Sequence, residues 1–520
     1  MSVGVLSVTL LAPLCGVVAI LCTPSRATNW IRRIASTATL VSLLCAVWLC
    51  THYDRIIGGF QYLERVAWLP HLGISYSLGI DGINLVLVLL HALCAYTGVL
   101  ISYAITERVK EYYCFYLLLI TGVFGVFLSL DLFFFYFFYE MAVIPMFPLI
   151  GIWGSHATPF SKEYATMKLT LYLTAGAVVA LIGLLALYHF TGLRTFHLST
   201  LHEYLIHHPL PVATQRWVFA CLLVGFGVIA PMWPLHSWSP IGHAAAPSAV
   251  SMLHAGVLMK LGSYAIIRLG LTLLPEGAKF WLPMVATLCL FNILYGGWVA
   301  MAQKDAKFII GYSSSSHMGY VLLGIATLTP LGLDGAVLLM FAHGLMTALG
   351  FALVGHIYDQ THTRLIHEWG GLGQQVPFVA TAFVFMTMAS SGLPGFANFV
   401  AEVLIFLGAW QQYKLQAMLA VFGVVITAVY MLRMVRTACF GPLNLTWTHL
   451  VDARTWFQRW PYLLLISTLL LFGFWPGFLV STIDRAARPL IAHVTGDDSS
   501  SRMVTFEPQD SERSTLNSDL

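Results

Sequence analysis

Charge is what this sequence has least of. Lys, Arg, Asp and Glu make up 9% of 520 residues, 58% are hydrophobic, and the mean hydropathy is +0.79. A soluble domain carries about a quarter charged residues, so a soluble globule is excluded and the chain reads as an all-α polytopic membrane protein. The net charge of +3 is spread over connecting segments and gathers into no basic stripe, which argues against nucleic acid as a partner. Nine cysteines form no CxxC pair, so no zinc or iron–sulfur ligand set is expected, and Cys45, Cys94, Cys221 and Cys289 read as packing inside apolar runs. No convincing strand is evident, and no glycine-rich phosphate loop follows one, so no cofactor site is expected in the chain. The adjacent His236 and Ser237 read as a hydrogen-bonding site at a helix break, not as a nucleophile dyad.

Apolar runs are what the sequence has in abundance. Stretches of roughly 18 or more apolar residues predict about fourteen spanning helices. They fall at 3–23, 34–52, 82–104, 113–130, 132–153, 168–190, 215–235, 248–272, 280–301, 309–329, 331–357, 375–409, 412–432 and 461–482. The first has no basic segment before it and no small-residue cleavage site, so it reads as a retained helix. Pro231 and Pro234 interrupt the seventh helix, and "SSGLPG", with Pro394, interrupts the twelfth. Broken backbone at membrane depth is tolerated where it is buried in protein or lines a watery cavity, so both breaks predict a polar interior. The expected organisation is 1–112 for helices 1–3, then two inverted five-helix repeats over 113–272 and 280–440. A helix 14 region over 441–490 and a disordered polar tail over 491–520 complete it. Loops after odd-numbered helices carry Arg26, Arg32, Arg33, Arg108, Lys110, Lys304, Lys307, Arg364 and Arg433 among others, whereas the other loops carry Arg55, Arg65, Arg194, Arg216 and Lys279. The odd loops are therefore expected in the cytoplasm and both termini outside.

Against this background each intramembrane charge is conspicuous. Glu140 lies among aromatics in "FFFYFFYEMAVIPMF", and Lys260 and Glu402 are equally isolated in their helices. An ionisable side chain there costs several kcal/mol without a partner or water, which favours a functional reading. Lys168 sits at the expected start of helix six, where its stem could reach the interface. His254, His317 and His343 occupy apolar helices between the acidic and basic groups and fit a proton relay. Asp305, in "QKDAKF", reads as a solvated partner of Lys304 or Lys307. The "SSSS" at 313–316 reads as a water-lined face whose hydroxyls bond back to the preceding turn. Single ionisable groups strung from Glu140 to Glu402 suit ion transfer better than a solute pocket.

Six stretches then carry a resemblance: "FFYEMAVIPMFPLIGIWG", "PLHSW", "AGVLMKLGSYAIIR", "GYSSSSHMGYVLLG", "FAHGL" and "GLPGFANFVAEVLIFLGAW". Over about residues 75–440 the chain resembles the antiporter-like chain M family of proton-pumping NADH:quinone oxidoreductase, respiratory complex I. Glutamate at position 402, where the L and N relatives have lysine, and the lack of a long lateral helix fit chain M. The resemblance implies that Glu140 belongs to a proton-transfer pair, that Lys260 is the central lysine, that His317 and His343 connect it onward, and that Glu402 exchanges protons with the outer face. It also implies L-like and N-like membrane partners in a bacterial inner membrane, and indirect dependence on NADH and quinone. FMN and iron–sulfur clusters would lie in partner subunits. Multisubunit cation/proton antiporters and membrane-bound hydrogenases share the fold and are the alternative, as is a scaffold with a partly inactive channel.

One departure stands out. Where the family pattern has lysine two residues before the helix-seven proline, this chain has Ile229 in "GVIAPMWP". Three readings follow: a histidine, His254, His236 or His243, replaces the lysine; the input side is disabled and only Lys260 to Glu402 conducts; or the chain works with a different partner set.

Overall fold

The computed structural model describes residues 4–156, 159–447 and 449–496. The expected tail lies outside the described residues from position 497 on. Among the described residues, twelve helices are long and apolar enough to cross a membrane. They are α1 (Val5–Cys22), α2 (Thr28–His52), α3 (Gly82–Ala104), α4 (Val109–Leu128), α5 (Leu132–Trp153), α6 (Lys162–Thr191), the first piece of α7 (Val212–Ile229), α8 (Ser248–Leu271), α9 (Pro275–Ala302), α11 (Pro330–Thr361), α13 (Lys414–Cys439) and α14 (Trp456–Phe474). Two further units complete fourteen. One is α10 (Ala306–Ala326), made less apolar by Lys307, His317 and four serines; the other is α12, split into Pro377–Ser390 and Ala397–Gln412.

Local chemistry starts these helices where they start. Pro275, Pro330 and Pro377 open α9, α11 and α12, where a missing N–H costs nothing. Asp81, Asp131 and Asp305 cap α3, α5 and α10 by accepting from the first backbone N–H groups. Asp81 also accepts from Arg268 at 2.7 Å, which ties the start of α3 to the end of α8. The break in α7 runs from 230 to 237, after which a second piece resumes over Trp238–Ala245. Its backbone is held from outside: Asn292 of α9 accepts from Trp233 N at 2.6 Å and donates to Pro231 O at 2.8 Å.

Four features differ from the sequence reading. A two-stranded antiparallel hairpin, β1 (Gln61–Leu69) and β2 (Ile74–Ile80), exists although no strand was expected, because Glu64 and Arg65 interrupt the apolar alternation that marks a strand. A short helix, Leu198–His207, lies in the chain between α6 and α7. Helix α6 begins at Lys162 with Ser161 as its cap, so Lys168 lies within the helix and not at its start. Helix α14 stops at Phe474 before Pro476, and a separate helix covers Gly477–Thr495.

The centre of the molecule is α8 against α11, both fully buried along their most apolar stretch. They approach closely because Gly256 faces Gly344: a Cβ on Gly256 would lie 3.0 Å from the Gly344 carbonyl oxygen. Two wide π turns, His254–Leu258 and Ile266–Leu271, flank the segment of α8 that carries Lys260. Such turns leave carbonyls short of intrahelical partners, and the Lys260 ammonium reaches back to Ala255 O.

Candidate proton-transfer site

The fully buried helices α8 and α11 bring the central groups together. Lys260 Nζ lies 2.8 Å from His343 Nδ1. The His343 ring stacks on His317 of α10 with centroids 5.0 Å apart. His317 Nε2 in turn lies 3.9 Å from Glu402 Oε1, and every member of this row is buried. His317 faces acceptors on both sides, the Ser313 carbonyl 2.8 Å from Nδ1 and the Ser390 carbonyl 3.3 Å from Nε2.

The break in α12 shapes the far end of the row. Gly392 holds φ +64°, a left-handed conformation, and its missing Cβ leaves the space that the Glu402 carboxylate fills. Pro394 lies in the same break, and Ser390 ends the piece before it. Asn398, one turn before Glu402, is buried with neither amide atom bonded to protein, as are Ser390 Oγ, Thr387 Oγ1 and His343 Nε2. Buried polar atoms of this kind are satisfied by ordered water, so the row runs through polar, water-supporting surroundings. Sequence reasoning missed Asn398; its spacing of four from Glu402 in "NFVAE" is the signal that marks it.

His243 and His254 form a second pair beside Lys260. Their rings are 4.3 Å apart, His254 stacks on Trp238 at 5.3 Å, and His243 Nε2 lies 3.0 Å from Ser239 Oγ and 3.1 Å from Met259 Sδ. Neither ring nitrogen of His254 has a protein partner. Glu140 stands in other company: it is half-buried on α5 and meets the Tyr136 hydroxyl, with Tyr139 beside it. Lys168 lies over the rings of Tyr164 and Tyr172 at 5.8 and 5.9 Å and close to His236, which lies in the break of α7 and bonds to the Pro234 backbone. The structure therefore joins Lys260, His343, His317 and Glu402 in one row and places Lys168 with His236 in another group.

Two smaller expectations change. Asp305 forms its salt bridge with Arg364 at 3.0 Å, a residue far along the chain, while Lys307 gives it a backbone N–H at 2.8 Å and is only a weaker counter-charge. Burial raises its carboxyl above the usual range, and the Arg364 guanidinium opposes the rise. Of the serine run, Ser315 bonds back to Gly311 O at 3.4 Å, but Ser316 donates across to Ile293 O at 2.9 Å and Ser313 accepts from Tyr430 of α13 at 2.8 Å.

The comparisons agree with this architecture. Subunit M of NADH-quinone oxidoreductase from Rhodobacter capsulatus is 37% identical over 470 residues, covering 89% of this chain and 90% of that one. Chain 4 of NAD(P)H-quinone oxidoreductase from Gloeobacter violaceus is 34% identical over 458 residues, covering 86% and 85%. A chain of respiratory complex I from Thermus thermophilus superposes with a TM-score of 0.84 at 29% identity, covering 94% of this chain and 99% of its own. The Mrp complex from Dietzia sp. shares the fold, with a TM-score of 0.81 at 21% identity over 95% and 99%. The family description "NADH:quinone oxidoreductase/Mrp antiporter, TM" matches residues 129–427, and the chain belongs to that family.

Proposed function

We propose that this chain is the M-type membrane-arm subunit of a complex I, moving protons laterally through Lys260, His343, His317 and Glu402. The observation that supports it best is the continuity of that row, at 2.8, 5.0 and 3.9 Å, from the fully buried α8–α11 core through α10 to α12. Redox chemistry belongs to partner subunits carrying FMN and iron–sulfur clusters, and L-like and N-like chains flank this one in the membrane arm. The Lys- and Arg-rich loops face the cytoplasm of a bacterial inner membrane and both termini face outward. Glu140 with Tyr136, and Lys168 with His236, are titratable groups of the first half, and Pro231 and Pro394 open the two breaks. Identity to subunit M over most of the chain favours an oxidoreductase over a cation/proton antiporter, whose resemblance rests on fold.

The test is proton pumping by the intact complex in inside-out vesicles. Lys260→Met and Glu402→Gln each lower protons moved per NADH oxidised at least twofold, while electron transfer to an artificial acceptor in the peripheral subunits persists. Unchanged pumping in both variants refutes the assignment.

A further inference from the structure

The row accounts for transfer beyond Lys260 and leaves its supply to be found. The face carrying the Lys- and Arg-rich loops is indented by a cavity of about 460 Å³ between the ends of α3, α8, α11 and α14. Ser102, Tyr103, Ser248, His356, Asp359 and Lys307 line it. Lys307 is buried at its floor, donates to Ala246 O at 2.7 Å and has the carboxylates of Asp305 and Asp359 as counter-charges. Ala246 closes the second piece of α7, three residues after His243. Ser251 bridges this corner by donating to His243 O at 2.9 Å and contacting Ala246 O at 3.3 Å. Behind it lies the His243–His254 pair, with His243 Nδ1 and both His254 nitrogens buried and unpartnered, and then Met259 and Lys260. Polar atoms thus line the way from the cavity floor to the central lysine, and the unpartnered nitrogens are the points that water satisfies.

We propose that this cavity is the proton uptake port for Lys260, with Asp359 as the first acceptor, Lys307 as the floor group and the His243–His254 pair as the link. The route rests on the proton-transfer reading above and reaches Lys260 without position 229. A hydronium gives its proton to the Asp359 carboxylate, which passes it to Lys307 once the Lys307 ammonium has given up its own proton inward. Lys307 releases it through water to His243 Nδ1, and His243 and His254 hand it through water to the Lys260 amine. One positive charge moves inward at each step and no bond other than to hydrogen changes.

Pumping per NADH is measured in inside-out vesicles of the intact complex carrying Ser248→Cys, before and after a membrane-impermeant thiol reagent, with the unsubstituted complex treated alongside. Mass spectrometry of Ser248 peptides reads labelling. Labelling that lowers pumping at least twofold in the variant alone supports the port. Full labelling with unchanged pumping overturns it, as does a position 248 cysteine that never reacts. Asp359→Asn in a separate strain is expected to lower pumping at least twofold with normal assembly on native gels, and an unchanged ratio also overturns the route. Lys260→Met separates the two claims: if it lowers pumping while both cavity tests fail, the port is wrong and the transfer row stands.

Discussion

Ile229 is a fully buried side chain at the position where the resemblance implies a lysine. It packs on α8, where an ideal Cβ on Gly262 would lie 2.6 Å from its Cγ2. Phe226, one turn earlier on the same face, meets Phe135 and Tyr139 of α5 with centroids 6.0 and 5.9 Å apart, and Tyr139 adjoins Glu140. A lysine at 229 would therefore emerge between α8 and α5, the helix that carries the glutamate. A double-mutant cycle on melting of the purified complex, combining Ile229→Lys with Glu140→Gln, is expected to show a coupling of about 1–3 kcal/mol. Additive effects would mean that the two positions do not pair and that the isoleucine has no bearing on Glu140. Ile229→Lys alone is destabilising, because a buried ammonium without a well-placed partner costs several kcal/mol.

The broken segment of α7 is an element whose shape depends on a neighbour. Asn292 supplies the acceptor for Trp233 N and a donor for Pro231 O, with a further bond to Ser315 O at 3.2 Å. Asn292→Leu leaves these backbone groups unpaired at a cost of roughly 2–5 kcal/mol. Faster hydrogen exchange over residues 230–237 checks it, and unchanged protection would show that the break holds itself. The same region marks what was legible in advance. Proline and glycine at Pro231, Pro234 and Pro394 disclosed both breaks because their backbone limits are local. Lys260, His317, His343 and Glu402 were legible because a polar group in an apolar helix is costly wherever it points. The hairpin was not, since Glu64 and Arg65 obscure its alternation. Nor were the Arg364 partner of Asp305, the Asn292 clamp or the cavity above Lys307, because each joins segments separated by tens of residues and no local pattern records the meeting.

Across the whole molecule the two faces differ in chemistry. The face with the cavity carries most of the basic residues, whereas the opposite face is assembled from the hairpin, the Leu198–His207 helix, the end of α8 and the Gly477–Thr495 helix, joined by histidines. His197 Nε2 lies 3.1 Å from Ser77 Oγ of β2, and His202 Nδ1 lies 3.0 Å from Thr272 O, with the His493 ring 4.8 Å away. Burial is the main cause that pulls His197 and His202 down to about 4, reinforced by Arg65 for the first and His493 for the second. Each folded value is below the unfolded value of about 6.5, so the unfolded chain binds protons more readily than the folded one. The stabilisation is complete above about pH 6.5 and is lost as pH falls from there through about 4, by roughly 3 kcal/mol per histidine at the acid limit. The protection factors of the hairpin amides, residues 61–80, should therefore fall as pH is lowered from 7 to 4.5, once the slowing of intrinsic exchange is divided out. The double variant His197→Gln, His202→Gln should flatten that response. A response equally steep in the variant would place the acid-sensitive contact elsewhere on this face, whereas a flattened one would show that protonation from this side loosens the element covering the start of α3 and α5.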